Sequence, residues 1–168
     1  RAIPAYVEAI CAEICQVSAG AGERIPVHTI FFGGGTPSLL SAAQLGTILE
    51  TLCQQFHFQE DMEITLEANP GTVSYEYLKD LRGLGINRLS FGMQSAHPDD
   101  LRLLERQHDY FDVVQAVDWA RGAGFDNLSL DLIFGLPGQT LESWQNSLIL
   151  ATDLGVEHLS LYNLTIED

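Results

Sequence analysis

Val27-His28-Thr29-Ile30-Phe31-Phe32 runs directly into Gly33-Gly34-Gly35-Thr36-Pro37-Ser38, and a helical pattern begins at Ser41. An apolar run of strand length that stops in consecutive glycines brings bare backbone to the end of a strand. Glycine has no Cβ, so a ligand can reach the main-chain N–H and C=O groups directly. Gly33, Gly34 and Gly35, with Thr36 after them, therefore read as a binding edge.

The same strand-then-helix unit recurs outward from this turn. Residues 4–16 have helical spacing, 28–32 form a strand, and 41–55 form a helix opened by a Ser41-x-x-Gln44 capping box. Residues 62–66 form a strand, and Ser74 caps a helix running through Leu84, with Gly83 and Gly85 at its end. Residues 88–91 form a short strand. Pro98 then opens a helix with Asp99 and Asp100 in its first turn, and Phe111, Val114, Val117 and Ala120 continue at helical spacing until Gly122 and Gly124. Residues 128–133 form a strand, Thr140 caps a helix whose core face is Trp144, Leu148 and Ala151, and 158–164 form the last strand. Five strands separated by helices imply right-handed crossovers and a parallel sheet. An open doubly wound sheet and a (β/α) barrel both satisfy that pattern, and a full eight-fold barrel takes roughly 250 residues. A chain of 168 residues that opens on a helix and closes on a strand has the form of an excised stretch of a longer barrel.

Composition narrows the function classes. The chain is 46% hydrophobic and 18% charged, which marks a globular domain with a core. Eight basic against 23 acidic residues leave a formal charge of −15, which repels phosphate backbones and argues against nucleic acid as a partner. No apolar run reaches the roughly 18 residues of a membrane span, and no signal peptide is evident. The sequence starts at Arg1 without Met, so it is expected to be a piece of a longer protein. Three cysteines suit a reducing, cytoplasmic compartment better than a disulfide framework. Cys11 and Cys15 share a helical face, but Ser18 stands where a third metal ligand would follow, so burial is the expected state, as it is for Cys53 after Leu49 and Leu52.

Polar residues collect at the predicted strand ends, where parallel α/β folds build their sites. These are Gly33, Gly34, Gly35 and Thr36; Glu67 with Asn69; Gln94 with Ser95; Asp131 with the loop Gly135-Leu136-Pro137-Gly138-Gln139-Thr140; and Asn163. Five in register point to one shared ligand site. The glycine turn is not followed by Lys and Ser/Thr as a P-loop would be, and Ser38 breaks a dinucleotide fingerprint. There is no G-x-S-x-G elbow and no H-E-x-x-H. His28 and His158 begin strands, His57 ends a helix and His97 precedes Pro98, all structural places, whereas His108 follows Arg106 in a turn. Arg106 could clamp a ligand carboxylate bidentately or serve a surface ion pair. The glycine turn could alternatively cradle phosphate, which would make an ordinary barrel enzyme acting on a phosphorylated metabolite.

Taken together the motifs resemble a known family. GGGTPS after a strand, Glu67-Ala-Asn-Pro-Gly-Thr, Asn87-Arg-Leu-Ser-Phe-Gly-Met-Gln-Ser, Leu104-x-Arg-x-His and Asp131-Leu-Ile-x-Gly-Leu-Pro-x-Gln-Thr are similar to the radical S-adenosylmethionine enzymes. Within these they look like the oxygen-independent coproporphyrinogen III oxidase family, and with the closing Leu-Tyr-Asn-Leu-Thr-Ile-Glu (161–167) most like its haem chaperone branch. The resemblance covers essentially the whole chain. It implies an α/β fold that is a partial TIM-type barrel, with residues 1–168 forming one incomplete core domain. It implies S-adenosylmethionine along Gly34, Gly35 and Thr36, with Glu67 bonding that ligand, and Gln94, Arg106 and Asp131 lining a second such molecule or the substrate region. It also implies a [4Fe–4S] cluster, haem or a porphyrinogen, and an electron donor as partners of the full-length protein. The chain departs from the family in lacking CxxxCxxC. That motif is expected upstream of Arg1 and the haem-binding region downstream, so this chain alone is expected to bind no cluster and to do no radical chemistry. Haem delivery by a chaperone, oxidative decarboxylation of coproporphyrinogen III, and the phosphate-binding barrel enzyme remain the three readings.

Overall fold

The computed structural model describes residues 2–21 and 23–165. Ile166 and Glu167 of the closing motif lie outside the described residues. Five strands, β1 (Pro26–Phe32), β2 (His57–Ala68), β3 (Arg88–Gln94), β4 (Leu128–Phe134) and β5 (His158–Asn163), form one sheet in the order β1-β2-β3-β4-β5. Every neighbouring pair is parallel. A doubly wound sheet reverses its strand order at a switch point. Here the order follows the chain without reversal, so the sheet curls into a half-barrel.

Helices α2 (Ala42–Gln55), α3 (Tyr75–Gly83), α5 (Tyr110–Gly122) and α6 (Leu141–Asp153) alternate with the strands. They cover one face of the sheet. Period-two alternation puts Ile64, Leu66 and Ala68 of β2, Leu89, Phe91 and Met93 of β3, and Leu128, Leu130 and Leu132 of β4 against them, all buried. Each of these side chains other than Ala68 contributes roughly 1.5–3 kcal/mol of burial. The opposite parity, Glu63, Thr65 and Glu67, then Ser90 and Gln94, then Ser129 and Asp131, lies on the inner face. That face is polar and internally bonded: Arg88 pairs with Glu63 at 3.8 Å, and Ser129 Oγ lies 3.1 Å from His158 Nδ1.

Local signals set the helix starts. Ser41 with Gln44 and Thr140 with Ser143 form capping boxes, and the Ser74 hydroxyl accepts from the Tyr77 N–H. The turn expected at Arg106 and His108 divides the helical stretch after Pro98 into α4 (Pro98–Leu103) and α5, and in that turn Glu105 has φ +53°. A capping box of Asp109 and Asp112 starts α5 and rotates its face. Val113, Ala116, Val117 and Ala120 point inward, and Phe111 is exposed rather than part of the core face.

Other expectations are corrected as well. β2 begins at His57, and its pairing with β1 is irregular between Val27 and Thr29, where Phe58 and Glu63 are the partners. Cys53 and Cys15 are exposed and Cys11 is half-buried. On α2 the inward places go to Leu45, Ile48 and Leu49, with Leu52 packed against the core, and Cys53 stands outside them. α1 (Ala2–Ala21) is longer than its core pattern and, at 20 residues, long and apolar enough to cross a membrane by length and composition. Here it packs against α2, through a Thr51 Oγ1–Cys11 Sγ contact of 3.4 Å and a bond from Ser18 to the Gln55 carbonyl, and its Val7 is buried.

Candidate functional site

The carboxyl ends of the strands enclose a cleft of about 280 Å³ to which all five contribute. It is lined by Gly35 and Thr36 after β1, Glu67 and Asn69 at the end of β2, Ser90, Gly92 and Gln94 of β3, Asp131 and Ile133 of β4, Tyr162 of β5, and Arg106 from the turn between α4 and α5. That volume is at the small end of ligand cavities. Six of the eight sequence-selected residues meet there. Gly33 and Gly34 do not: they line a separate apolar groove between β1 and α1.

The turn after β1 is held by the carboxylate opposite. Gly34, at φ +82°, donates its N–H to Glu67 Oε2 at 3.0 Å. A Cβ on Gly33 would lie 2.4 Å from the exposed Phe31 ring, which would have to swing away, and 3.2 Å from Glu67 Oε2, so glycine lets the turn pack close to that carboxylate. With the Gly34 N–H engaged by a carboxylate, this turn is a poor cradle for phosphate. Gly35 has φ +64° and open space where a Cβ would stand. Ser38, buried, bonds Thr72 Oγ1 at 2.6 Å and accepts from the Asn69 N–H, so it staples the loops after β1 and β2 together.

On β3 a bulge re-aims the strand end. The step from Phe91 to Gln94 spans only Leu130 to Leu132 on β4, and Gln94 takes φ +64°. A Cβ on Gly92 would lie 2.6 Å from Gln94 Nε2, so Gly92 makes the room that the amide occupies. Ser90 Oγ lies 3.0 and 3.1 Å from the two Asp131 oxygens and orients that carboxylate. Arg106 is exposed and makes no ion pair among the described residues. The cleft thus offers two carboxylates, one guanidinium, two side-chain amides and a glycine edge.

Several rim candidates turn out to be scaffold. Ser95 is fully buried, donates to Asp100 Oδ2 at 2.7 Å and meets Ser147 Oγ at 3.3 Å; Gln139 Nε2 donates to the same Asp100 oxygen at 3.2 Å. Asn163 lies against Gly135, where a Cβ would be 2.8 Å from its Oδ1. Sequence reasoning read Asp100 only as a helix-dipole residue and passed over Ser90, Gly92, Ile133 and Tyr162. The alternation Ser90-x-Gly92 and Asp131-x-Ile133 along their strands was the available signal. His108 is buried, with Nε2 3.3 Å from the Met93 carbonyl, and burial pushes its pKa below the usual 6.5.

A family model for the Radical SAM superfamily matches residues 6–151, and the chain belongs to that superfamily. Its relatives are more particular. The heme chaperone HemW of Haemophilus influenzae is 45% identical over 141 residues, which is 84% of this chain and 37% of that protein. HemW of Bacillus subtilis is 42% identical over 163 residues, 96% of this chain and 43% of that protein. The solved structure of coproporphyrinogen III oxidase (HemN) from Escherichia coli, a radical SAM enzyme, superposes with a TM-score of 0.88 at 34% identity, covering 97% of this chain and 37% of that one. The chain therefore spans less than half the length of these relatives.

The donor set fits S-adenosylmethionine, a ligand with an ammonium, a carboxylate, a sulfonium and two hydroxyls. It does not fit an iron–sulfur cluster: among the described residues no three His, Cys, Asp or Glu side chains converge, and Cys11 faces Thr51 on α2.

Proposed function

We propose that the cleft at the strand ends binds S-adenosylmethionine, and that the chain is the central part of the core of a haem chaperone of the HemW kind. The observation that carries this reading is the meeting of Gly35, Thr36, Glu67, Gln94, Arg106 and Asp131 in one cleft. The identity to two HemW proteins, 45% and 42%, supports the choice of branch.

When bound, S-adenosylmethionine supplies a sulfonium whose carbon–sulfur bond can be broken by one electron. The residues of this chain bind and orient it. Glu67, held by the Gly34 N–H, and Asp131, held by Ser90, suit the ammonium and the hydroxyls. Arg106 suits the carboxylate through two parallel N–H bonds. The Gln94 amide can donate and accept at a hydroxyl. Gly35 lets the ligand edge approach the main chain. Haem, a [4Fe–4S] cluster and an electron donor belong, in this reading, to the full-length protein.

The oxidase reading is favoured by one observation, the 34% identity and close superposition with HemN. Full-length protein titrated with haem under anaerobic conditions, then incubated with coproporphyrinogen III, separates the two. With the cluster reconstituted and S-adenosylmethionine and a reductant such as dithionite present, a chaperone gives a stable Soret band and no protoporphyrinogen IX. Formation of protoporphyrinogen IX would replace the chaperone reading with the oxidase.

A further inference from the structure

Among the described residues, Gln94 and Glu105 are the two non-glycine residues with positive φ, at +64° and +53°. One lines the cleft and the other immediately precedes Arg106, which also lines it. Backbone held in this region is strained and persists only where the surroundings over-determine it. At Gln94 the Ser95 N–H donates to the Met93 carbonyl at 2.8 Å. A three-residue turn with a positive central φ is the rare, strained form.

His108 reaches the same carbonyl from behind, with Nε2 at 3.3 Å, and is 4% exposed. A carbonyl can only accept, so the proton sits on Nε2 and the neutral ring keeps a bare Nδ1. That Nδ1 is the one buried side-chain polar atom without a partner among the described residues. An apolar side chain of this size would fill the space and orphan nothing; what imidazole adds is the single donor at Met93. The His108 Cβ lies beside Gly71 of the loop after β2, 3.7 Å from where a Gly71 Cβ would stand. Only Gln107 separates His108 from Arg106.

We infer that His108 is a positioning residue, which clamps the carbonyl closing the strained turn at Gln94 and ties that turn to Arg106. The amide and the guanidinium then meet one ligand from fixed places. The binding half of the test rests on the proposed S-adenosylmethionine site; the backbone half does not.

The test compares full-length wild type, His108→Leu and His108→Gln by amide hydrogen exchange and by S-adenosylmethionine titration. In His108→Leu the Gln94–Ser95 amides exchange about tenfold faster while β4 is unchanged. The dissociation constant rises about tenfold, the worth of roughly one buried hydrogen bond with its strain. His108→Gln, whose amide can donate the same bond, restores most of both. In a Gln94→Ala background the cost of His108→Leu shrinks to about threefold or less, because the two act through one turn. Unchanged exchange at 94–95 in folded His108→Leu, or equal behaviour of the Leu and Gln variants, overturns the inference. Should His108→Leu not fold, His108→Asn, too short to reach the carbonyl, carries the same expectations. If wild type binds no S-adenosylmethionine, the ligand reading fails while the exchange data still decide the role of His108.

Discussion

Gly92 and Gln94 pack closely in the cleft. Nothing but hydrogen at Gly92 leaves the amide where it is, because a Cβ would lie 2.6 Å from Gln94 Nε2. The clash is with the far end of a flexible side chain, so the amide moves and the fold stays. Gly92→Ala is expected to change stability by less than about 1 kcal/mol. It should weaken S-adenosylmethionine binding about threefold to tenfold, the worth of one neutral hydrogen bond, as read by calorimetry. His108 gives a pH dependence at the same scale. Burial lowers its pKa in the folded state, Arg106 lowers it further, and the bond to Met93 with Asp112 and Asp109 opposes this. The unfolded chain takes up a proton near 6.5 where the folded chain does not. The contribution is therefore complete above 6.5 and is lost as pH falls below it. Chemical denaturation at pH 7.5 and 5.5 should show a loss in wild type that is reduced in His108→Gln. Glu67, Gln94 and Asp131 were legible because strand ends in parallel folds point at one rim, whereas Arg106 comes from the turn between α4 and α5, where its sequence left a ligand clamp and a surface ion pair equally open. The bulge at 91–94 was not legible: Gln94 pairs with Leu132 of β4, 38 residues further along the chain.

Among the elements, α4 and the loop before α6 are joined by a buried polar network rather than by apolar contact. Asp100, 8% exposed, accepts from Ser95 and Gln139 on one oxygen, and Ser147 of α6 bonds both Ser95 and the Ala96 N–H. Removing the carboxylate strands two donors. Asp100→Ala should cost about 3 kcal/mol in chemical denaturation. Asp100→Asn, which keeps the shape and one acceptor, should cost about 1. Neither changes a residue that lines the cleft. Elements were legible where a cap and an apolar period agree, as at Ser41 and Thr140. The turn at Arg106 and His108 was legible, but the start of α5 was not, because Leu104-Glu105-Arg106-Gln107-His108 contains no glycine or proline to mark it. A glutamate occupies the left-handed position that usually takes glycine. The Asp109-x-x-Asp112 capping box was the overlooked signal, and reading it would have placed Phe111 outside the core.

At the scale of the molecule, unreversed strand order and a polar inner face go together. Parallel strands covered by helices on one side put their apolar residues there, so the remaining parity is free to carry Glu63, Arg88, Ser90, Asp131 and His158 inward. That arrangement gathers functional groups from five separated segments at one end, where loops 33–36, 69–73, 104–109 and 135–140 meet. The formal charge of −15 suits a ligand bearing two positive centres. The central claim, that this end holds S-adenosylmethionine, is tested most directly by anaerobic equilibrium dialysis of the ligand against full-length wild type, Glu67→Gln and Asp131→Asn. Saturable one-to-one binding that weakens about tenfold to a hundredfold in each variant, with thermal unfolding little changed, is the predicted result, the worth of one charge-assisted hydrogen bond. Binding by both folded variants as tight as wild type would contradict the account.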